Sequence, residues 1–403
     1  MSDKKNHAEY LEEYLTEYKD ALNIAIAARK KFISAALEAE SKEYLQQFGG
    51  AADNEAYRGA DHEAYREKVL PYWERFGYVP EEFWFEFSGS RDHVMDPRMI
   101  PLDLLYNEIV PYLNNMQLRT AVSDKAYCDT WFPDVKQAVT VCRRVSGIYY
   151  DDSMNIISED EAVKLCLDSP GFLFVKPAVY THSSKGITAA DAGGLSDADV
   201  KRIFDATGMN FIVQQEIEQH PGLAALNPDS VCTVRINTLL MDDDVHILTE
   251  VMKVGAPGEK VPVHGKGSYF TQILGDGSLH ERAIFVYPKN EEYGATAYIA
   301  YWGDAKEYGL YDESYRVPCL DELRRFAKKL HERIAHFRFA GWDLTLDRDG
   351  DPVLIEVNFS PGPFGGQLGA CAPMFGDMTD RVLEDYFFER SLEKTQMQGL
   401  LVQ

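Results

Sequence analysis

The sequence predicts an α+β (mixed α/β) protein: a mainly helical N-terminal region followed by strands and helices whose sheet is at least partly antiparallel. Three observations carry this. Residues 8 to 48 place Leu11, Tyr14, Leu15, Tyr18 and Leu22 at three- and four-residue spacing ahead of an Ala-rich half, the period of a helix. From about residue 116, apolar runs of strand length alternate with amphipathic stretches. Several of those strands follow one another with no crossover helix, which antiparallel pairing permits and parallel pairing does not.

The first helix ends at Gly49-Gly50. A second helical segment covers about 61 to 76, and the aromatic run FGYVPEEFWFEF follows. Pro97 and Pro101 break the chain before a short helix at about 102 to 113 closes the region near residue 115. These aromatic and apolar stripes read as core. Candidate strands then fall at 139–141, 172–175, 211–213, 233–240, 245–254 and 283–286, and candidate helices at 159–168, 196–207 and 319–337. From about 391 the chain turns polar and reads as a loose tail.

A net charge of −24 repels phosphates everywhere except in local basic pockets, so neither nucleic acid nor a membrane is expected as a partner. No apolar run is long enough for a membrane span, and the opening MSDKKNHAEYLEEY lacks the apolar core of a signal peptide; a cytoplasmic protein is expected. Cys128, Cys142, Cys166, Cys232, Cys319 and Cys371 are scattered, with no CxxC, and read as buried free thiols.

The stretch GWDLTLDRDGDPVLIEVNFSPGP, residues 341 to 363, crowds acidic residues together. Gly350 and Glu356 fit a calcium loop, with Asp347 and Asp349 at its third and fifth positions, but its first ligand would be Thr345. The flanks also alternate at the period of strands, which favours a β-hairpin. With Asp349-Gly350 as a two-residue turn, Asp343 lies opposite Glu356, with Asn358 two residues on along the same face. Two carboxylates so placed destabilise a sheet unless something neutralises them. A divalent cation does so, and two carboxylates with an amide oxygen suit magnesium or manganese.

Cations are spread elsewhere. Lys176 ends the strand GFLFVKPA, where Pro177 is expected to stop the strand. Ser183-Ser184-Lys185-Gly186 makes a hydroxyl-rich turn whose amides can wrap phosphate oxygens. Lys125 follows a helix-starting Ser-Asp. Arg235 and Lys253 sit inside apolar strands, where a charge needs a partner, either an anionic ligand or Glu250. Neither SSKG nor HGKGS has P-loop spacing. Together these features describe a nucleoside triphosphate site built without a P-loop.

The pattern resembles the ATP-grasp superfamily, most closely its sugar-transfer-associated branch. In D-alanine–D-alanine ligases an acidic residue is followed thirteen positions later by Glu-x-Asn, which Asp343, Glu356 and Asn358 match. The segment IVQQEIEQHPGLAALNPDSVCTVRINTLL, residues 212 to 240, resembles the branch signature. Similarity spans about 120 to 370, with an echo in GYVPEEFWFEF. The resemblance implies an ATP-grasp fold: subdomains 116–210 and 211–390 clasp ATP, with a helical domain 1–115 before them and a tail 391–403 after. It implies that Lys125 and Lys176 hold the α- and β-phosphates, that Gln215, Glu216 and Ile217 form the adenine hinge, and that Ser183, Ser184 and Lys185 belong to the loop over the phosphates. Arg235 and Lys253 then face the γ-phosphate and the attacking carboxylate, Asp343, Glu356 and Asn358 hold Mg2+ (or Mn2+), and Ser360-Pro361-Gly362 opens the acceptor loop. The covering loop THSSKG has fewer glycines than the commoner form, and VPVHGKGSYF replaces an Asn-Phe-Ser-rich segment. The implied activity is ATP-dependent ligation of a small-molecule carboxylate to an amine. A kinase that releases its phosphorylated product and a non-catalytic nucleotide-binding module are the alternatives, and a homodimer is compatible with the sequence.

Overall fold

The computed structural model of the protein describes residues 7–48, 62–92, 94–179, 186–261, 268–288, 298–306 and 312–401, with side chains left out near several segment ends. Its N-terminal region holds the long helix α1 (His7–Phe48) and short helical runs at 62–74, 83–88 and 102–113. Trp73, Phe85, Phe87, Leu105 and Ile109 are wholly buried there. The Trp73 indole donates to the Pro97 carbonyl at 2.9 Å, so its one polar atom is satisfied inside the core.

A first sheet contains β1 (Thr140–Val145), β2 (Ile148–Tyr150), β3 (Ile156–Ile157), β4 (Phe172–Pro177), β5 (Thr188–Asp191) and β6 (Phe211–Gln215), in the order β3-β2-β1-β6-β4-β5 with antiparallel pairing throughout. Helices α2 (Glu159–Leu167) and α3 (Asp197–Thr207) pack against it around Cys142, Cys166, Val163, Phe204 and Phe211. Both open on a capping box, Ser158 with Glu161 and Ser196 with Asp199, which satisfies two backbone donors at each start. The β4 strand includes Pro177 instead of stopping before it. The Ala178 amide bonds Asn210, so the amide position one residue earlier points away from β6 and needs no donor.

A second sheet holds β7 (Thr233–Met241), β8 (Asp244–Val254), β9 (Ser268–Gln272), β10 (Arg282–Pro288), β11 (Tyr298–Asp304), β12 (Phe339–Leu346) and β13 (Pro352–Asn358), ordered β11-β10-β9-β8-β7-β12-β13 and again antiparallel. Helix α4 (Leu320–His331) covers one face, its Leu323, Ala327 and Leu330 packing with Val234, Ile236, Trp342 and Leu344. Residues of the opposite parity, Leu239, Met241 and Phe339, join the N-terminal region, α5 (Gln367–Ala370) and α6 (Thr379–Leu401) in a separate core. Every residue of β12 is consequently buried.

Three further expectations need correcting. Helix α4 ends at His331 although helical periodicity extends to 337. The buried His331 ring bonds Thr238 Oγ1 and the Phe337 carbonyl, each at 2.7 Å, which turns the chain back into β12. Helix α6 runs on to Leu401 through the segment that reads as a loose tail, because RSLEKTQMQ is made largely of good helix formers. All six cysteines are free, but Cys319 is exposed and Cys128 and Cys371 are only half-buried. Among the described residues, no helix is long and apolar enough to cross a membrane.

Candidate functional site

The β12–β13 hairpin places Asp343 opposite Glu356, but not through a two-residue turn. Leu346 pairs with Pro352, and the Asp347 amide bonds the Asp351 carbonyl, leaving Arg348, Asp349 and Gly350 as a three-residue loop. Asp347 Oδ1 accepts from the amides of Asp349 and Asp351, and Gly350 takes φ +90°, which is the geometry of a turn closed by a bulge. Ile355 is then an extra residue, since Leu344 pairs with Leu354 and Asp343 with Glu356. The bulge restores the acidic pairing that the longer turn shifts by one.

Pairing carries this row across the sheet: Val251 opposes Arg235, Arg235 opposes Asp343, and Asp343 opposes Glu356. Lys253, two residues from Val251, projects from the same face. Arg235 donates Nε to Asp343 Oδ1 at 2.5 Å and Nη2 to Oδ2 at 2.8 Å, a bidentate pair almost out of water. Glu250, the alternative protein-side partner, is instead engaged by Arg324 at 2.6 Å and 2.8 Å.

Two lysines approach from the other sheet. Lys125 opens a short helical turn capped by Asp124, and its own amide bonds the Ala178 carbonyl beyond β4. Its Nζ lies 3.5 Å from Glu356 Oε2. Lys176, on β4, donates to Gln214 Oε1 at 2.9 Å. Burial drives its pKa down to about 8, partly offset by the Glu356 charge and reinforced by Lys125. Lys253 is likewise lowered by burial, against the pull of Asp343 and Glu356. Burial by itself raises Glu356, but Lys125, Arg235 and Lys253, with a hydrogen bond from Asn358 Nδ2 at 3.3 Å, outweigh it and hold its pKa at about 2.

Four cations thus meet two carboxylates, an excess of positive charge in a strongly acidic protein. Among the described residues, no three His, Cys, Asp or Glu side chains form a closed metal cage. The hairpin fits magnesium in another way. Asp343 and Glu356 are hard oxygen donors, yet both carboxylates are taken up by neighbouring cations, so a bare divalent ion adds charge to an already positive cluster. A phosphate chain would supply the missing negative charge. The donor set therefore fits magnesium together with phosphate.

The segment after β6 crosses back to the hairpin. The Gln215 amide bonds the Val139 carbonyl at 2.9 Å, and the Glu216 amide bonds that of Phe172 at 3.0 Å. Glu216 and Ile217 line a cavity of about 480 Å³ with Val139, Val353 and the turn residues Asp347 to Asp349, within the size range of small-ligand sites. With Ile355 bulged out, Val353 and Glu356 oppose Thr345 and Asp343 and so lie two ladder steps apart, roughly 7 Å along the same face of the hairpin. Ser183, Ser184 and Lys185 lie outside the described residues, as do positions 262–267.

Several contacts at this site had no sequence signal of their own. Gln214, which holds Lys176, hides in an ordinary strand. Lys260, which pairs with Glu216 at 2.8 Å and lies over the Phe172 ring, comes from an aperiodic loop. Gly365 carried no signal beyond the loop that Ser360-Pro361-Gly362 opens, yet a Cβ there would stand 2.9 Å from Arg235 Nη1.

A model of the family described as sugar-transfer associated ATP-grasp matches residues 106–377, more than half of the chain. The chain belongs to this family. No curated protein matches it. Among solved structures, this ATP-grasp chain is similar to D-alanyl-alanine synthetase A from Vibrio cholerae, with 13% identity and a TM-score of 0.39 over 66% of each chain. It is also similar to VanG D-Ala:D-Ser ligase from Enterococcus faecalis, with 15% identity and a TM-score of 0.38, covering 66% of this chain and 61% of that one. The D-alanine–D-alanine ligase from Bacillus anthracis gives 15% identity and a TM-score of 0.35 over 71% of this chain and 72% of its own. The chain thus spans just under two thirds of the length of the first two.

Proposed function

We propose that this ATP-grasp protein is an ATP-dependent carboxylate–amine ligase. In the proposed reaction a substrate carboxylate oxygen attacks the γ-phosphorus of ATP, ADP leaves, an amine nitrogen attacks the resulting acyl phosphate, and phosphate leaves as the amide forms. The observation that supports it best is the convergence of Lys125, Lys176, Arg235 and Lys253 on a facing Asp343–Glu356 pair.

In this reading, magnesium held by Asp343, Glu356 and Asn358 neutralises charge on the phosphate chain. Glu216 and Ile217 bound the adenine cavity, while Lys125 and Lys176 reach the α- and β-phosphates. Arg235 and Lys253 orient the γ-phosphate and the acceptor carboxylate and stabilise charge that builds up during transfer. Such a site works by positioning and electrostatics, and losing one stabilising contact raises the barrier by about 3 kcal/mol.

The direct test incubates the protein with ATP, Mg2+ and a pool of carboxylates and amines, reading free phosphate and new masses together. Phosphate released in step with ADP, alongside a mass equal to an acid plus an amine minus water, supports the ligase. A phosphorylated product with no free phosphate contradicts it and points to a kinase.

A further inference from the structure

The loop after Asn358 lies against Arg235 and is anchored at several points. Asn114 Nδ2 donates to the Phe359 carbonyl at 2.8 Å, and Tyr106 Oη to the Pro361 carbonyl at 2.7 Å. Asn237 Nδ2 donates to the Gly365 carbonyl at 2.7 Å. Gln367 both accepts from the Ile100 amide at 3.1 Å and donates to its carbonyl at 2.8 Å, with a further bond to Ser88 Oγ. All of these anchors except Asn237 come from the N-terminal helical region, and Ser88 and Ile100 precede the segment matched by the family model. The result reaches the charged row directly. Gly365 sits so close to the Arg235 guanidinium that a methyl group there would stand 2.9 Å from Nη1, while Asp343 holds the other side of the same group.

We propose that the N-terminal region is a structural arm of the phosphate site, in which Tyr106, acting through Pro361 and Gly365, is a positioning residue that fixes the Arg235 guanidinium toward the terminal phosphate. This rests on the nucleotide reading above. Tyr106 touches neither nucleotide nor acceptor in this scheme; its hydroxyl sets the height of the loop, and the loop limits where the guanidinium can lie. Because Arg235 faces the γ-phosphate, slack in the loop is felt by a triphosphate and not by a diphosphate.

Calorimetry on the full chain with MgADP and with a magnesium-bound triphosphate analogue carrying a non-hydrolysable β–γ bridge separates these effects. Wild type should prefer the triphosphate analogue, and Tyr106→Phe, which deletes one hydrogen bond, should lower that preference about fivefold with MgADP affinity unchanged. Gly365→Ala, which displaces the guanidinium directly, should lower it further and serves as the second variant should Tyr106→Phe fold poorly. An unchanged preference in Tyr106→Phe, or in Gly365→Ala where only that variant folds, overturns the proposal. Equal weakening of both nucleotides also overturns it, since that marks a general structural role. Wild type that binds neither nucleotide overturns the proposed function itself, and this inference with it.

Discussion

Asp343→Asn isolates the interaction on which the charged row depends. The Asp343 side chain is only 7% exposed and that of Arg235 13%, and the two share a bidentate contact at 2.5 and 2.8 Å. Removing one partner of such a pair strands the other charge away from water, which typically destabilises by 3–5 kcal/mol. Here the Glu356 charge still favours the guanidinium, against repulsion from Lys253, and the new amide still accepts one hydrogen bond, so a value near the lower end, about 3 kcal/mol, is expected. At roughly 1 °C per kcal/mol, set by an unfolding entropy of about 2.1 cal/mol/K per residue over 403 residues, the melting temperature should fall roughly 3–4 °C. Urea unfolding of both proteins measures the same difference directly. The double variant Arg235→Met/Asp343→Leu should recover most of the loss, because a buried pair is worth little against apolar groups of similar size. If Asp343→Asn lies within about 1 kcal/mol of wild type, the two side chains are not a desolvated pair and the electrostatic description of the site is wrong.

The Lys176 ammonium has a pKa of about 8 in the free protein, and an anionic ligand favours its charged form. MgADP affinity should therefore be flat at neutral pH and fall as pH rises through about 8, approaching tenfold per pH unit. Lys176→Arg, charged throughout, should abolish that break in a binding titration. By the same linkage, the folded state binds fewer protons than the unfolded chain between about 8 and 10.5, so Lys176 adds stability as pH rises across that window; urea midpoints compared with those of Lys176→Met should show it. Gly350 takes φ +90° in the hairpin loop, so Gly350→Ala should destabilise by about 1–2 kcal/mol and Gly350→Asn by less, both read by chemical denaturation.

Period-two alternation made the hairpin legible, and an acidic pair opposed across it was a specific expectation. Asp-Gly signals a two-residue turn, but the side chain of Asp347 gathers the amides of Asp349 and Asp351 and closes a longer one. One bulged residue, Ile355, offsets the difference, and nothing in its apolar side chain announces that. Helices α2 and α3 were legible as candidate spans at 159–168 and 196–207, and the structure shows Ser158 and Ser196 capping them. Strands β2, β3, β5, β9 and β11 were not among the expected ones: two or three residues of β2 and β3 are too few to show a period, Thr-Ala-Ala-Asp of β5 carries little strand preference, and β9 and β11 lie in stretches whose pairing is set by their neighbours. Within the site, the residue types of Arg235 and Lys253 were conspicuous in apolar strands, but their partners depended on which strands became neighbours. Gln214, Lys260 and Tyr106 act through contacts between distant segments, which one-dimensional spacing does not encode.

The most direct measurement of the central claim titrates Mg2+ into the protein by calorimetry, with and without ADP, for wild type and Glu356→Gln. Weak metal binding to the free protein, strong binding once ADP is present, and loss of that gain in Glu356→Gln are the expected results. Tight magnesium binding without nucleotide, or an unchanged gain in the variant, would contradict a site in which phosphate and metal neutralise each other beside Glu356.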